Sequence, residues 1–191
     1  MNIADYREPF QPAKVWRGLQ ILSNDSLVPK CSGPYAWYFQ DLPAGIPKAG
    51  CLPFNDLTLL YVGIAPKRIS SKQTLRDRIK NHLKGNAYGS TLRLSLGCLL
   101  GERLGLQLQR VGEKRMTFVH GEEKLSEWLA NNAFVVWMAR KEPWEVEAEL
   151  IRTVSLPLNL EHNEQHSFYP ILSARREAAK KKARELPIVR V

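Results

Sequence analysis

The stretch GPYAWYF, residues 33–39, decides how the rest of this chain is read. A Gly-Pro pair followed at once by aromatic side chains marks entry into a strand, because Gly and Pro punctuate helices and aromatics suit a pleated surface. Tyr35 stands directly after the turn signal, either as the first packed residue of that strand or as a phenol presented to a substrate. The next segment of similar kind is DLTLLYVG, residues 56–63, in which Leu57 to Val62 reads as a strand ending at Gly63. Between them lies a loop with Pro43, Pro47, Pro53, Gly45 and Gly50, which cannot be sheet interior. Two strands joined by one loop predict an antiparallel pair.

Outward from this pair the signals are mostly helical. Before it only a short helix around Trp16 to Leu22 is expected. After it, TLRDRIKNHLKG (74–85) has a capping box in Thr74 and Asp77, an apolar repeat at Leu75, Ile79 and Leu83, and a stop at Gly85. Helices are also predicted over Ser90–Gly105, over Glu122–Asn132, and in EPWEVEAELIRTVSLP, with Pro143 in its first turn and Pro157 beyond its end. Short strands are predicted at Met116–Val119 and at AFVVWM, 133–138, the latter buried on both faces. The order predicts an α+β domain around a small, largely antiparallel sheet flanked by helices. Its expected limits are 33–170, with a helical insertion at about 85–140, an N-terminal extension over 1–32, and a basic C-terminal helix and tail over 171–191.

The chain has 191 residues and a net charge of +9, with a pI near 9.6. That balance favours a polyanionic partner over a neutral one. No apolar run is long enough to span a bilayer, and Asp5, Arg7 and Glu8 interrupt any signal-peptide core, so a cytoplasmic protein without a membrane partner is expected. Cys31, Cys51 and Cys98 are odd in number and lack a CxxC pair, which argues against a disulfide framework and a thiolate zinc site. His162 and His166 are four apart in a polar segment and give no convincing metal-ligand pair.

One carboxylate breaks the pattern of its helix. Positions 147, 150, 151 and 154 share one stripe, and three of them are Leu150, Ile151 and Val154, so Glu147 is directed inward. Glu145, Glu149 and Arg152 fall on the opposite side, where Glu149 and Arg152 make a solvated pair. An inward carboxylate needs a cation or a donor: a buried ion pair with an Arg or Lys, or a hard metal ion held by few protein ligands and several waters. The densest basic run is Lys67, Arg68, Lys72, Arg76, Arg78, Lys80 and Lys84, opposed only by Asp77. Within it Arg78 and His82 lie one turn apart on the shoulder of the apolar stripe, while Lys80 and Lys84 point to solvent; Arg76 remains an alternative to Arg78.

Gly33-Pro34-Tyr35, Tyr61-Val62-Gly63, Arg78 with His82, Glu147 and Asn159, in that order, resemble the motifs of the GIY-YIG nuclease family, in the form of a stand-alone bacterial member. Pro34 departs from the usual branched residue, and the connections from Phe39 to Leu57 and from Gly63 to Arg78 are longer than in many members. The resemblance implies a sheet with both motif strands central and hydrolysis of DNA phosphodiesters with one Mg²⁺ or Mn²⁺ per site. Glu147 would bind the metal, Arg78 would contact the scissile phosphate, and Tyr61 would accept or relay a proton from the attacking water. Tyr35 would line the pocket, Asn159 would hold the loop after the Glu147 helix, His82 would match a family histidine, and Lys67 would help to keep Tyr61 deprotonated.

The chemistry is coherent on its own terms. A phosphodiester needs its oxygens neutralised, a water positioned and a leaving alkoxide stabilised. A phenol titrates at about 10, so a tyrosine base at neutral pH needs positive charge beside it. Arg68, Lys72, Arg76, Lys80 and Lys84 are candidate backbone contacts. So are Arg175, Arg176 and Lys180 on the C-terminal helix, which is otherwise simply a charged surface helix. Arg93, Arg103, Arg110, Lys114 and Arg115 lie in the insertion, the last three in a loop able to touch DNA. The expected substrate is duplex or branched DNA, in restriction, in repair, or as a toxin with an immunity protein. The alternative is a nucleic-acid-binding protein that kept the fold without turnover.

Overall fold

The computed structural model describes residues 14–190; Val191 and residues 1–13 of the expected N-terminal extension, Asp5, Arg7 and Glu8 included, lie outside the described residues. β2 (Gly33–Phe39) and β4 (Leu57–Ala65) form the antiparallel pair that the opening stretch predicts. β7 (Ala133–Trp137) lies antiparallel on the other side of β2, and with the edge strands β1 (Trp16–Arg17) and β3 (Pro53–Phe54) the five-stranded order is β1-β7-β2-β4-β3. The fold is therefore α+β around a small antiparallel sheet, with β2 at its centre.

The outer strands are short. β1 (Trp16–Arg17) pairs with β7 where the sequence suggested the start of a helix; α1 begins only at Gly18 and runs to Ser23. The Arg17 guanidinium donates to the Asn131 carbonyl at 2.7 and 2.9 Å, which holds this edge in place. β3 (Pro53–Phe54) is the opposite edge, a position where a proline costs no ladder bond.

Two glycines of the motif strands are fixed by close approach. A Cβ on Gly33 would collide with the Met138 carbonyl, and one on Gly63 with the ring and hydroxyl of Tyr35, which lies directly across the ladder. Pro34 sits at the β2 entrance, where its carbonyl accepts from Met138 N at 3.1 Å.

The ladder contains one irregularity that matters for the site. Trp37 is opposite Tyr61, but the next residue, Tyr38, is opposite Leu59, so Leu60 is the extra residue of a bulge. Before it, Leu57 and Leu59 pack with Ala36 and Tyr38 against Val146, Leu150 and Ile151. After it, Tyr61 joins Tyr35 and Trp37 on the other face. Strict alternation from Leu57 would have sent Tyr61 to the wrong side of the sheet.

Helices cover both faces. α6 (Trp144–Thr153) packs on the Tyr38 face; α2 (Leu75–Lys84), α3 (Thr91–Leu99), α5 (Gly121–Asn132) and α7 (Tyr169–Glu185) supply the Tyr35 face. The predicted capping box of α2 is present, with Asp77 N donating to Thr74 Oγ1 and Thr74 N to Asp77 Oδ2. The single helix expected over Ser90–Gly105 is broken at Leu100 into α3 and the one-turn α4 (Gly101–Leu104), which ends at Gly105 with φ +65°. β5 (Gln109–Arg110) and β6 (Met116–Thr117) form a separate ribbon.

Three helices are tied together by an arginine that sequence alone places only among the cations of the expected insertion. Arg93 is fully buried. Its guanidinium donates to the carbonyls of His82, Leu83 and Glu122, to Ser126 Oγ, and to Glu122 Oε2 at 2.6 Å. The other oxygen of Glu122 accepts from the backbone of Ala87 and Phe118. Arg93 thus joins the end of α2 to α3 and α5. Arg103 bonds Asp41 at 2.5 Å, and Arg110 donates to Leu186 O.

Candidate active site

Tyr35, Tyr61 and His82 are brought together on one face of the sheet. The ring of His82 lies 5.4 Å from Tyr35, 5.9 Å from Tyr61 and 6.0 Å from Trp37. Its Nε2 meets the Tyr35 hydroxyl at 2.7 Å and its Nδ1 meets Ser90 Oγ, also at 2.7 Å. Ser90 Oγ in turn caps α3 by accepting from Arg93 N. Burial, reinforced by the charges of Arg78, Arg93 and Lys67, holds His82 neutral, well below the usual histidine range. A neutral ring gives one nitrogen as donor and one as acceptor, so both hydroxyls are satisfied in one continuous chain.

That arrangement has a consequence for stability. His82 keeps its proton off in the folded state at a pH where the unfolded chain, near 6.5, has begun to take one up. Unfolding therefore gains protons as pH falls below about 6.5, at a cost to stability of about 1.4 kcal/mol per pH unit for one such group. The melting temperature is expected to fall from pH 7 to 5.5, and to fall less in His82→Gln. The slope will not vanish, because burial also lowers His166. An equal slope in both proteins, read by scanning fluorimetry, would remove His82 as its source.

Arg78 is buried beside the two phenols, 8% exposed, with Nη1 donating to Gly89 O at 2.9 Å. Burial disfavours its charge, but the adjacent Tyr35 and Tyr61 oxygens outweigh this and keep it firmly protonated. Tyr35 is forced well above the usual phenol range, first by burial and then by Tyr61. Tyr61 reaches further out, with its hydroxyl 3.5 Å from Thr91 Oγ1.

Tyr61 opens onto a cavity of about 300 Å³ whose walls include Lys67, Glu147, Asn159, Glu161 and Arg176. The helical phase of α6 does bring Glu147 to this space, while Glu149 pairs with Arg152 at 2.7 Å on the outside. Among the described residues Glu147 makes no ion pair, so a direct partner in the protein does not account for its inward position. Burial raises its pKa, partly opposed by the charge of Lys67. Lys67 itself bonds Glu161 at 2.7 Å.

Asn159 stands between the two parts of the site. Its Oδ1 accepts from Val62 N at 3.0 Å and its Nδ2 donates to Val62 O at 2.9 Å, clipping the segment after α6 to the strand beside Tyr61. Asn163 extends the clip by donating to Leu156 O and Asn159 O.

The basic run divides. Lys67 faces the cavity; Arg68 and Lys72 are exposed on the loop that follows it, and Lys72 borders a separate groove with Cys31 and Trp144. Arg76 is turned away and donates to the carbonyls of Val28 and Ser26; Lys80 bonds Asp25 at 3.1 Å, and Lys84 shares a groove with them. Those three do not converge on the cavity. On α7 the sequence neighbours part: Arg176 and Lys180 line the cavity, whereas Arg175 borders another groove beside Phe118.

Glu161, Ser173 and Glu177 also line the cavity and were not singled out by the sequence; His162, weighed there only as a metal pair with His166, lines it too. Spacing of 173, 176, 177 and 180 on one side of α7 was the available signal, masked by the high charge all along that helix. His166, by contrast, is occupied structurally: its Nδ1 accepts from Phe168 N and its Nε2 meets Ser155 Oγ. The described residues contain no cluster of three His, Cys, Asp or Glu side chains able to hold a metal, and the three cysteines form no disulfide. Glu147, the cavity carboxylate without an ion pair among the described residues, fits a hard divalent cation whose other ligands are waters and phosphate oxygens. None of the described helices is long and apolar enough to cross a membrane.

A family model described as the GIY-YIG catalytic domain matches residues 33–178. Comparison with curated proteins and with solved structures gave no match. The matched segment contains both motif strands, the α2 arginine and histidine, Glu147, and the part of α7 that faces the cavity. This chain belongs to the GIY-YIG family, with the nuclease-type function which that membership carries.

Proposed function

We propose that this protein is a metal-dependent endonuclease that hydrolyses phosphodiester bonds of duplex or branched DNA at the Tyr61–Glu147 cavity. The observation that carries this reading is Glu147, an inward carboxylate without an ion-pair partner among the described residues, facing the same cavity as Tyr61, Lys67 and Arg176. Mg²⁺ or Mn²⁺ held by Glu147 supplies, when bound, Lewis-acid stabilisation of the phosphate oxygens and the departing alkoxide.

The remaining work falls to side chains. Tyr61 takes or relays the proton of the attacking water, with the cations Lys67 and Arg78 near it. Tyr35, held by His82 and Ser90, is the rigid wall against which Tyr61 is placed. Asn159 fixes the strand that carries Tyr61. Arg68 and Lys72, exposed on the loop after Lys67, give sequence-independent attraction to the DNA backbone.

The decisive experiment is supercoiled plasmid incubated with the purified protein. Open-circular product in Mg²⁺ or Mn²⁺, and none in excess EDTA, is expected. Salt-sensitive binding of duplex, branched and single-stranded DNA without a nick under any divalent ion would instead identify a binding protein.

A further inference from the structure

We propose that Arg176 of α7 holds a phosphate of the strand being cut, so that the C-terminal helix forms one wall of the active site; this rests on the nuclease reading above. The cavity is lined by three carboxylates, Glu147, Glu161 and Glu177, and by the three cations Lys67, Arg176 and Lys180. Two pairs are made, Lys67 with Glu161 and Lys180 with Glu177, each at 2.7 Å. Among the described residues this leaves Glu147 on α6 and Arg176 on α7 with neither a hydrogen bond nor an ion pair from their side chains. The two are the complement of a metal–phosphate ligand: a carboxylate for the cation and a guanidinium for the anion.

The position of Arg176 is not that of a loose surface cation. Leu172 and Ala183 are fully buried and anchor α7, and Ala179 packs against the same core. Its far end is pinned by Arg110 Nη2 donating to Leu186 O at 3.0 Å and Val189 N to Arg110 O at 2.8 Å. Burial disfavours the Arg176 charge, and Glu177, its neighbour in sequence, is engaged by Lys180. A desolvated guanidinium fork without a protein acceptor is suited to bidentate contact with two phosphate oxygens. Arg78 does not take this place: it is not among the residues that line the cavity, and its Nη1 is engaged on Gly89 O.

The test compares wild type, Arg176→Ala and Arg176→Lys in single-turnover nicking and in fluorescence-anisotropy binding of a labelled duplex without divalent ion. Arg152→Ala, the exposed partner of Glu149, serves as control and should nick like wild type. Arg176→Ala should nick about 100-fold more slowly, the usual cost of losing one donor to developing charge. Its metal-free affinity should weaken by no more than about fivefold, as for one backbone contact among several. Arg176→Lys should recover part of the rate, and its melting temperature should match wild type, which separates a lost contact from a lost fold. The proposal is overturned if Arg176→Ala nicks within about threefold of wild type, or if its affinity falls as far as its rate, since the residue then only tracks the backbone. A wild type that nicks under no divalent ion refutes the nuclease reading and this inference with it, an outcome distinct from a variant that nicks normally.

Discussion

Glu147→Ala is expected to lose at least about three decades of plasmid-nicking activity, since metal stabilisation of a transition state is worth several kcal/mol. The protein should remain folded. Burial raises the Glu147 pKa, so the folded state holds that proton more tightly than the unfolded chain does. Above the ordinary carboxylate range the sign is therefore unfavourable: as pH rises from the unfolded value of 4.5 through the folded one, this residue subtracts from stability. Glu147→Gln should accordingly melt no lower than wild type at neutral pH while being inactive. Adding Mg²⁺ should raise the melting temperature of wild type and leave that of the glutamine variant unchanged, because only a folded site that binds the ion gains from it. Undiminished nicking by Glu147→Ala would reject the assigned mechanism.

Arg93→Ala should be the most damaging substitution to the fold, costing about 3–5 kcal/mol in urea unfolding, the range for breaking a buried ion pair. The loss is large against a typical total of about 5–15 kcal/mol. Arg93 is fully buried, and its removal leaves Glu122, whose side chain is 13% exposed, without its counter-charge. Apolar replacement of both partners, often harmless elsewhere, should not rescue this site. Glu122 Oε1 also accepts from Ala87 N at 2.8 Å and Phe118 N at 3.0 Å, and those donors would be orphaned in an apolar pair. A urea midpoint within experimental error of wild type would show that the pair is dispensable. Activity should fall as well, because the Arg93 guanidinium bonds the carbonyls of His82 and Leu83 at the end of the helix that carries Arg78 and His82.

Local chemistry made much of this legible in the sequence. The capping box at Thr74 and Asp77, the stop at Gly85 and the apolar stripe of α2 are all short-range signals, and each is present. Glu147 could be singled out because helix phase is a fixed rotation per residue, and its companions on the stripe are apolar. The family resemblance is confirmed by the match over residues 33–178. By contrast, the break at Leu100, the edge strand at Trp16–Arg17 and the cavity face of α7 depend on partners distant in the chain. Within one highly charged helix, phase parts Arg175 from Arg176 but does not say which side meets the cavity.

Periodicity and turn chemistry suffice to read the strands around Tyr35 and Tyr61, the helices after them and the order of the polar residues. That the two tyrosines share a face follows from strand pairing in space. Alternation along DLTLLYVG would place Tyr61 with Leu57 and Leu59, away from Tyr35, and it is the extra residue Leu60, opposed to nothing in β2, that turns it back. The same holds for Arg93: an arginine in an insertion is a surface charge by composition, and becomes a buried cross-link only where Glu122, Ser126 and three carbonyls meet it. Register and ion pairing are settled by which surfaces come into contact, and that information lies between segments rather than within them.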